Sequence, residues 1–157
     1  MRNIFVPAFF IFVATVASMN DNPNRLFQLR ELKTATVKFD KKQLTVWIMD
    51  TESKRNEGMM FLRDKEVRKD AAMIFVFSDW TDRRFWMHNT LIPLDIAYIG
   101  KNGVTVSTAT MKALDDTGVP SHGAAQYAIE MKAGSFRRLG IKKGVKFAIP
   151  ATVVAKD

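Results

Sequence analysis

The stretch FWMHNTLIPLDIAYI, residues Phe85–Ile99, decides how the rest of the chain is read. Pro93 has no N–H and biases Ile92 toward extended backbone, so Asn89–Pro93 is expected to be a fixed bend rather than a helix. A strand-like run with one carboxylate, Asp95, follows. The polar side chains ahead of the bend are expected to be held near that carboxylate.

Working outward, Gly100-Lys101-Asn102-Gly103 is a strong turn signal and Val104–Thr110 alternates, so 94–110 reads as a β-hairpin. Upstream, AAMIFVF (Ala71–Phe77) is a continuous apolar run of strand length, expected to be buried on both faces. Leu32–Phe39 and Leu44–Met49, joined by Asp40-Lys41-Lys42, read as a second hairpin. Asp50 is expected to cap a helix of about two turns that Gly58 closes. Residues 111–123 lack periodicity and read as a long surface loop of the kind that often carries function. Tyr127–Met131 is a strand carrying Glu130, and Phe136–Leu139 fits a single-turn helix. Val145–Ile149 and Thr152–Val154, divided by Pro150, finish the chain as short edge strands. Seven or eight short strands predict a mainly β fold, a small single-domain β-barrel or jelly-roll-like sandwich with two or three short helices.

The opening MRNIFVPAFFIFVATVAS has one charge, Arg2, then an apolar run ending in small residues. That is the layout of a cleavable signal peptide over 1–18, and the run is shorter than the ~20 residues that span a bilayer. Residues 19–31 read as a flexible lead-in to a β domain over 32–157. The expected location is periplasmic or secreted. There is no Cys, which excludes a disulfide framework and a thiol nucleophile. The net charge of +8 comes from scattered residues and a denser tail, Arg137, Arg138, Lys142, Lys143 and Lys146. It is read as a solubility feature; among macromolecules, peripheral contact with an anionic envelope surface is the one it suggests. Basic and aromatic residues do not alternate as they do where bases stack, so no nucleic-acid partner is expected, and the chain is expected to be a monomer.

Asn-Glu-Gly-Met-Met-Phe-Leu-Arg (56–63), Met-Ile-Phe-Val-Phe (73–77), Phe-Trp-Met-His-Asn-Thr-Leu-Ile-Pro-Leu-Asp-Ile (85–96) and Tyr-Ala-Ile-Glu-Met-Lys-Ala-Gly (127–134) follow in that order. Together they resemble DUF192, a family of uncharacterised bacterial and archaeal proteins. The resemblance implies a mainly β barrel or sandwich, often exported, with no secure activity. The family usually places Lys where this chain has His88, which supplies only part of that charge near neutral pH.

Asp95, between two apolar strand residues, must face solvent or be paired. It either caps the bend at Asn89 and Thr90 or lines a pocket. Glu130 and Arg63 are its natural charge partners, and Arg63 is either structural or a planar fork for an anion. His88 and Asn89 alternate along a strand end, so one of them faces any given pocket. Trp86 is expected to be buried and Trp80 exposed.

The leading expectation is a small polar or anionic ligand, a sugar or envelope fragment, held by Arg63, Trp86, His88, Asn89, Asp95 and Glu130, without cofactor or metal. A hydrolase or lyase pairing Asp95 with Glu130 as acid and base is the second, and requires both in one cleft. The third is copper(I) handling by the methionines, Met60 and Met87 among them, since thioethers suit that ion. Phosphate loops, nucleophile elbows and HExxH motifs are absent from the sequence.

Overall fold

The computed structural model describes residues 21–157; the expected leader at 1–18 lies outside the described residues. Both expected hairpins form, β1 (Thr34–Phe39) with β2 (Lys42–Met49) and β5 (Leu94–Ile99) with β6 (Thr105–Met111). Between them come α1 (Glu52–Glu57), β3 (Ala72–Thr81) and β4 (Arg84–Phe85). After them come β7 (Val119–Pro120), β8 (Ala125–Lys132), α2 (Ser135–Leu139) and β9 (Phe147–Ala148). Seven strands form one sheet in the order β6-β5-β8-β3-β2-β1-β9, and β4 pairs with β7. The large sheet curls until its two edges approach: Val104 bridges Lys146, and the Phe147 N–H donates to the Gly103 carbonyl at 2.8 Å. The fold is thus a mainly β half-barrel with two short α-helices.

The apolar run over β3 has no polar face because both of its faces are covered. One face of the sheet, lined by Val37, Val46, Ile74, Ala97 and Ile129, draws in residues from the whole curl and closes with Phe39 against Phe147 at 5.0 Å. The opposite face, Met73, Phe75, Ile96, Tyr98 and Ala128, carries a second core. What covers it follows from topology. β2 and β3 run parallel, which a tight turn cannot achieve, so residues 50–71 must cross over the sheet. That crossing adds Met59 and Leu62 to the core that holds Phe75 and Tyr98, each buried side chain contributing about 1.5–3 kcal/mol.

Two local expectations are corrected. Thr51, not Asp50, caps α1, its Oγ1 accepting the Lys54 N–H at 3.4 Å. Asp50 is buried instead and pairs with Lys54 at 2.6 Å and with Lys156, pinning the C-terminal segment beside α1. Thr152–Val154 is not a strand, because the Val153 N–H turns back to the Pro150 carbonyl at 2.9 Å.

Residues 21–31, expected as a flexible lead-in, are tied down by Arg25. Its buried guanidinium pairs with Glu57 at 3.2 Å and donates to the carbonyls of Gly58 (3.0 Å) and Met60 (2.6 Å). Glu57 returns the contact by accepting the N–H groups of Leu26 and Phe27. Removing the cation leaves a buried carboxylate without its counter-charge, so Arg25→Ala is expected to cost about 3–5 kcal/mol in a denaturant titration.

Candidate functional site

β8 is paired on both edges, by β3 and by β5, and both of its faces are buried. Register places Glu130 opposite Met73 on one side and Ile96 on the other, so its side chain points to the same face as those two. Glu130 is only 4% exposed, and its carboxyl has no hydrogen bond or ion pair among the described residues. Every described side-chain N or O that is shut from solvent does have a partner, so the Glu130 carboxyl keeps its one opening toward an adjoining cleft.

That cleft holds about 310 Å³. Glu130, Phe75, Met59 and Gly58 line it deepest, Phe77 and Phe85 are its aromatic wall, and Arg55, Arg83, Arg84, Asp82 and Trp86 stand around it. Gly58 is required here. Its φ is +46°, and a Cβ would lie 3.2 Å from the Phe75 ring. Arg83 stacks over Phe77 at 3.9 Å and pairs with Asp79, while Arg55 is held by both carboxylate oxygens of Asp157 (2.9 and 2.7 Å). Arg84 differs: its Nη1 donates to the Gly118 carbonyl at 2.7 Å, and it has no carboxylate partner among the described residues. It lies so close on Gly118 that a Cβ there would meet its Cδ at 2.4 Å.

Of the six residues expected at the site, Glu130 and Trp86 line this cleft. Trp86 is 55% exposed, correcting the expectation of burial, because its ring stacks on His88 at 5.0 Å outside the core. His88 is exposed and bonds Asp116 at 3.0 Å, next to the cleft but not lining it. Asn89 is not on a strand end. It sits in a turn with φ +52°, closed by the Thr90 N–H on the Met87 carbonyl, and its own carbonyl accepts the Phe61 N–H at 2.8 Å. Arg63 is exposed away from the cleft, where its main-chain N–H bonds Glu66. Thr90, Arg83, Arg84 and Phe77 line the cleft and were missed, since polar residues before a turn look like solvated connection.

Asp95 is buried on the other face of the sheet, beside Met131 rather than Glu130. Its two oxygens accept the Thr110 hydroxyl at 2.7 Å and the Phe136 N–H at 3.0 Å. It locks α2 to β6, so the polar side chains before the bend do not gather around it. It also cannot act with Glu130 across one cleft. Met59, Met73, Met87 and Met111 belong to one core and Met131 to the other, whereas Met60 is half-buried and lines the cleft.

Burial alone pushes the Glu130 carboxyl up to about 8, so it carries its proton at neutral pH. Between the ordinary carboxyl range and pH 8 the unfolded chain releases this proton while the folded chain keeps it. Each step up in pH across that window therefore favours unfolding. Glu130→Gln is expected to melt higher than wild type by roughly 5 °C or more at pH 8, with the gap closing below pH 5, in paired thermal melts. Asp95→Ala is expected to lose about 2–3 kcal/mol in a denaturant titration, by leaving the Phe136 N–H unpaired.

The family model DUF192, described as Uncharacterized ACR, matches residues 34–149. No match to a curated protein was found. Among solved structures, a protein of unknown function from Novosphingobium aromaticivorans is 27% identical with a TM-score of 0.70, the match covering 83% of this chain and 91% of that one. A proposed transcription regulator from Sinorhizobium meliloti is 25% identical with a TM-score of 0.70, covering 74% of this chain and 94% of that one. The matched span takes in the whole half-barrel from β1 to β9, with the cleft and its Glu130, and the chain belongs to the DUF192 family.

Proposed function

We propose that the chain is an exported single-domain protein that binds a small polar or anionic ligand, a sugar or envelope fragment, in the Glu130 cleft. The observation that carries this is the carboxyl itself: buried, without a partner among the described residues, and lining the cleft. A core does not gain from such a group, which costs stability until something bonds to it. Protonated at neutral pH, it both donates and accepts, which suits a ligand hydroxyl, ether or amide. Arg84, free of carboxylates among the described residues, offers its fork to an anionic substituent, and the exposed Trp86 ring offers a stacking surface for a sugar. The leader-like residues 1–18 support export.

The test is a thermal-shift and Trp-fluorescence screen of neutral hexoses, uronic acids and N-acetylmuramic acid. An acidic sugar is expected to raise the wild-type melting temperature by several degrees. Glu130→Leu, which can neither donate nor accept, should weaken binding of every member while Glu130→Gln keeps most of it, and Arg84→Ala should cost about tenfold for acidic sugars while sparing neutral ones. Trp86→Ala should lose the fluorescence response. A screen in which no sugar shifts the wild type would overturn the reading.

A further inference from the structure

The basic residues are not scattered in space. Segment 134–149 lies along the seam where the two edges of the curled sheet approach each other. Toward β6, the Gly144 N–H donates to the Thr105 carbonyl and the Thr105 N–H to the Val145 carbonyl, both at 2.9 Å. Toward β1, Phe39 pairs with Phe147, Lys38 with Ala148, and Lys42 Nζ donates to the Leu139 carbonyl at 2.5 Å. The segment brings Arg137, Arg138, Lys142, Lys143 and Lys146, all exposed. The β1–β2 turn adds Lys38, Lys41 and Lys42, and the turn before β6 adds Lys101, likewise exposed.

These nine cations face one carboxylate in the same segments, Asp40, and none of the nine is in an ion pair among the described residues. The chain has 24 Lys and Arg and 16 Asp and Glu, so outside the seam 15 cations balance 15 carboxylates. By segment, the three therefore carry the net charge of +8, while Arg138 also reaches past them to the Lys69 carbonyl, next to Asp70, at 2.9 Å.

We propose that the seam is a docking surface for an anionic phospholipid bilayer, bound peripherally and reversibly through its headgroups. Seven of the nine cations are Lys, point charges on flexible stems that meet a diffuse anionic plane without needing a defined partner geometry. Of the exposed large apolar side chains, Trp80 meets the strip, its ring lying 4.5 Å from Lys101 Nζ. One ring does not make the succession of platforms on which the bases of a strand stack. The choice of lipid over nucleic acid rests on the export reading above; the charge asymmetry does not.

Vesicle co-sedimentation tests this, using phosphatidylcholine alone and phosphatidylcholine with about one-third phosphatidylglycerol. The full chain is expected to sediment with the anionic vesicles at low salt, to stay in solution with the neutral ones, and to be released by about 0.5 M NaCl. Arg137→Glu/Lys142→Glu/Lys143→Glu should bind at least tenfold more weakly. Lys33→Glu/Lys65→Glu/Lys112→Glu, with the same change in net charge, should retain most of the binding. Absence of binding to the anionic vesicles overturns the proposal, as does equal loss in the two triple variants. Duplex DNA or an acidic polysaccharide that binds at least tenfold more tightly than vesicles of equal charge concentration overturns it too. The wild-type salt and lipid series needs no variant to fold. It is also independent of the cleft, since Glu130→Leu should sediment as wild type does.

Discussion

β8 has a strand on each edge and a core on each face, and its carboxyl side chain, Glu130, inherits that crowding. A carboxyl at this register cannot reach solvent past Met73 and Ile96, and the described residues send it no cation or N–H. Its only relief is the space left where the crossover from β2 to β3 arches over the sheet. Gly58, with no Cβ to press on Phe75, keeps that space open. The cleft is thus a by-product of parallel pairing in an otherwise antiparallel sheet: the pairing demands a long crossover, and the crossover cannot seal every part of the face it covers.

Much of this was legible in the sequence, for reasons tied to particular residues. The hairpins were readable because alternation and the turn signals at Asp40 and Gly100–Gly103 agree. The doubly buried β3 was readable because AMIFV has no polar position. The fixed bend before β5 followed from Pro93. What failed was the side to which residues point. Asp95 and Glu130 both look like lone carboxylates in apolar strands, yet the antiparallel register of β5 on β8 sets Asp95 beside Met131 and so on the opposite face. Nothing local in either strand encodes that register. The parallel partner of β3 was equally hidden, since two hairpins and a buried run are compatible with several strand orders. Arg25 escaped notice because its partners lie more than thirty positions away in sequence.

Strand order also relates the cleft to the basic strip. β8 and β3 are in the middle of the sheet, whereas the seam lies between its two ends, so the two features occupy opposite sides of the curl. A half-barrel lying on an anionic plane by its seam would present the cleft to the surrounding medium. The sequence showed the dense basic tail but not what joins it, because a barrel brings residues 38–42, 101 and 137–146 together only when it closes.

The bend after Trp86 and the arch before Arg63 are joined by one hydrogen bond, from the Phe61 N–H to the Asn89 carbonyl. Both residues hold left-handed backbone, φ +62° and +52°, and a bulky aromatic such as Phe61 rarely adopts it. Neither loop would keep that shape on its own, so each acts as the other's template. The rim of the cleft at Met60 and Thr90 is thus one cooperative unit, and local unfolding there would bare the amide protons of both loops together instead of residue by residue.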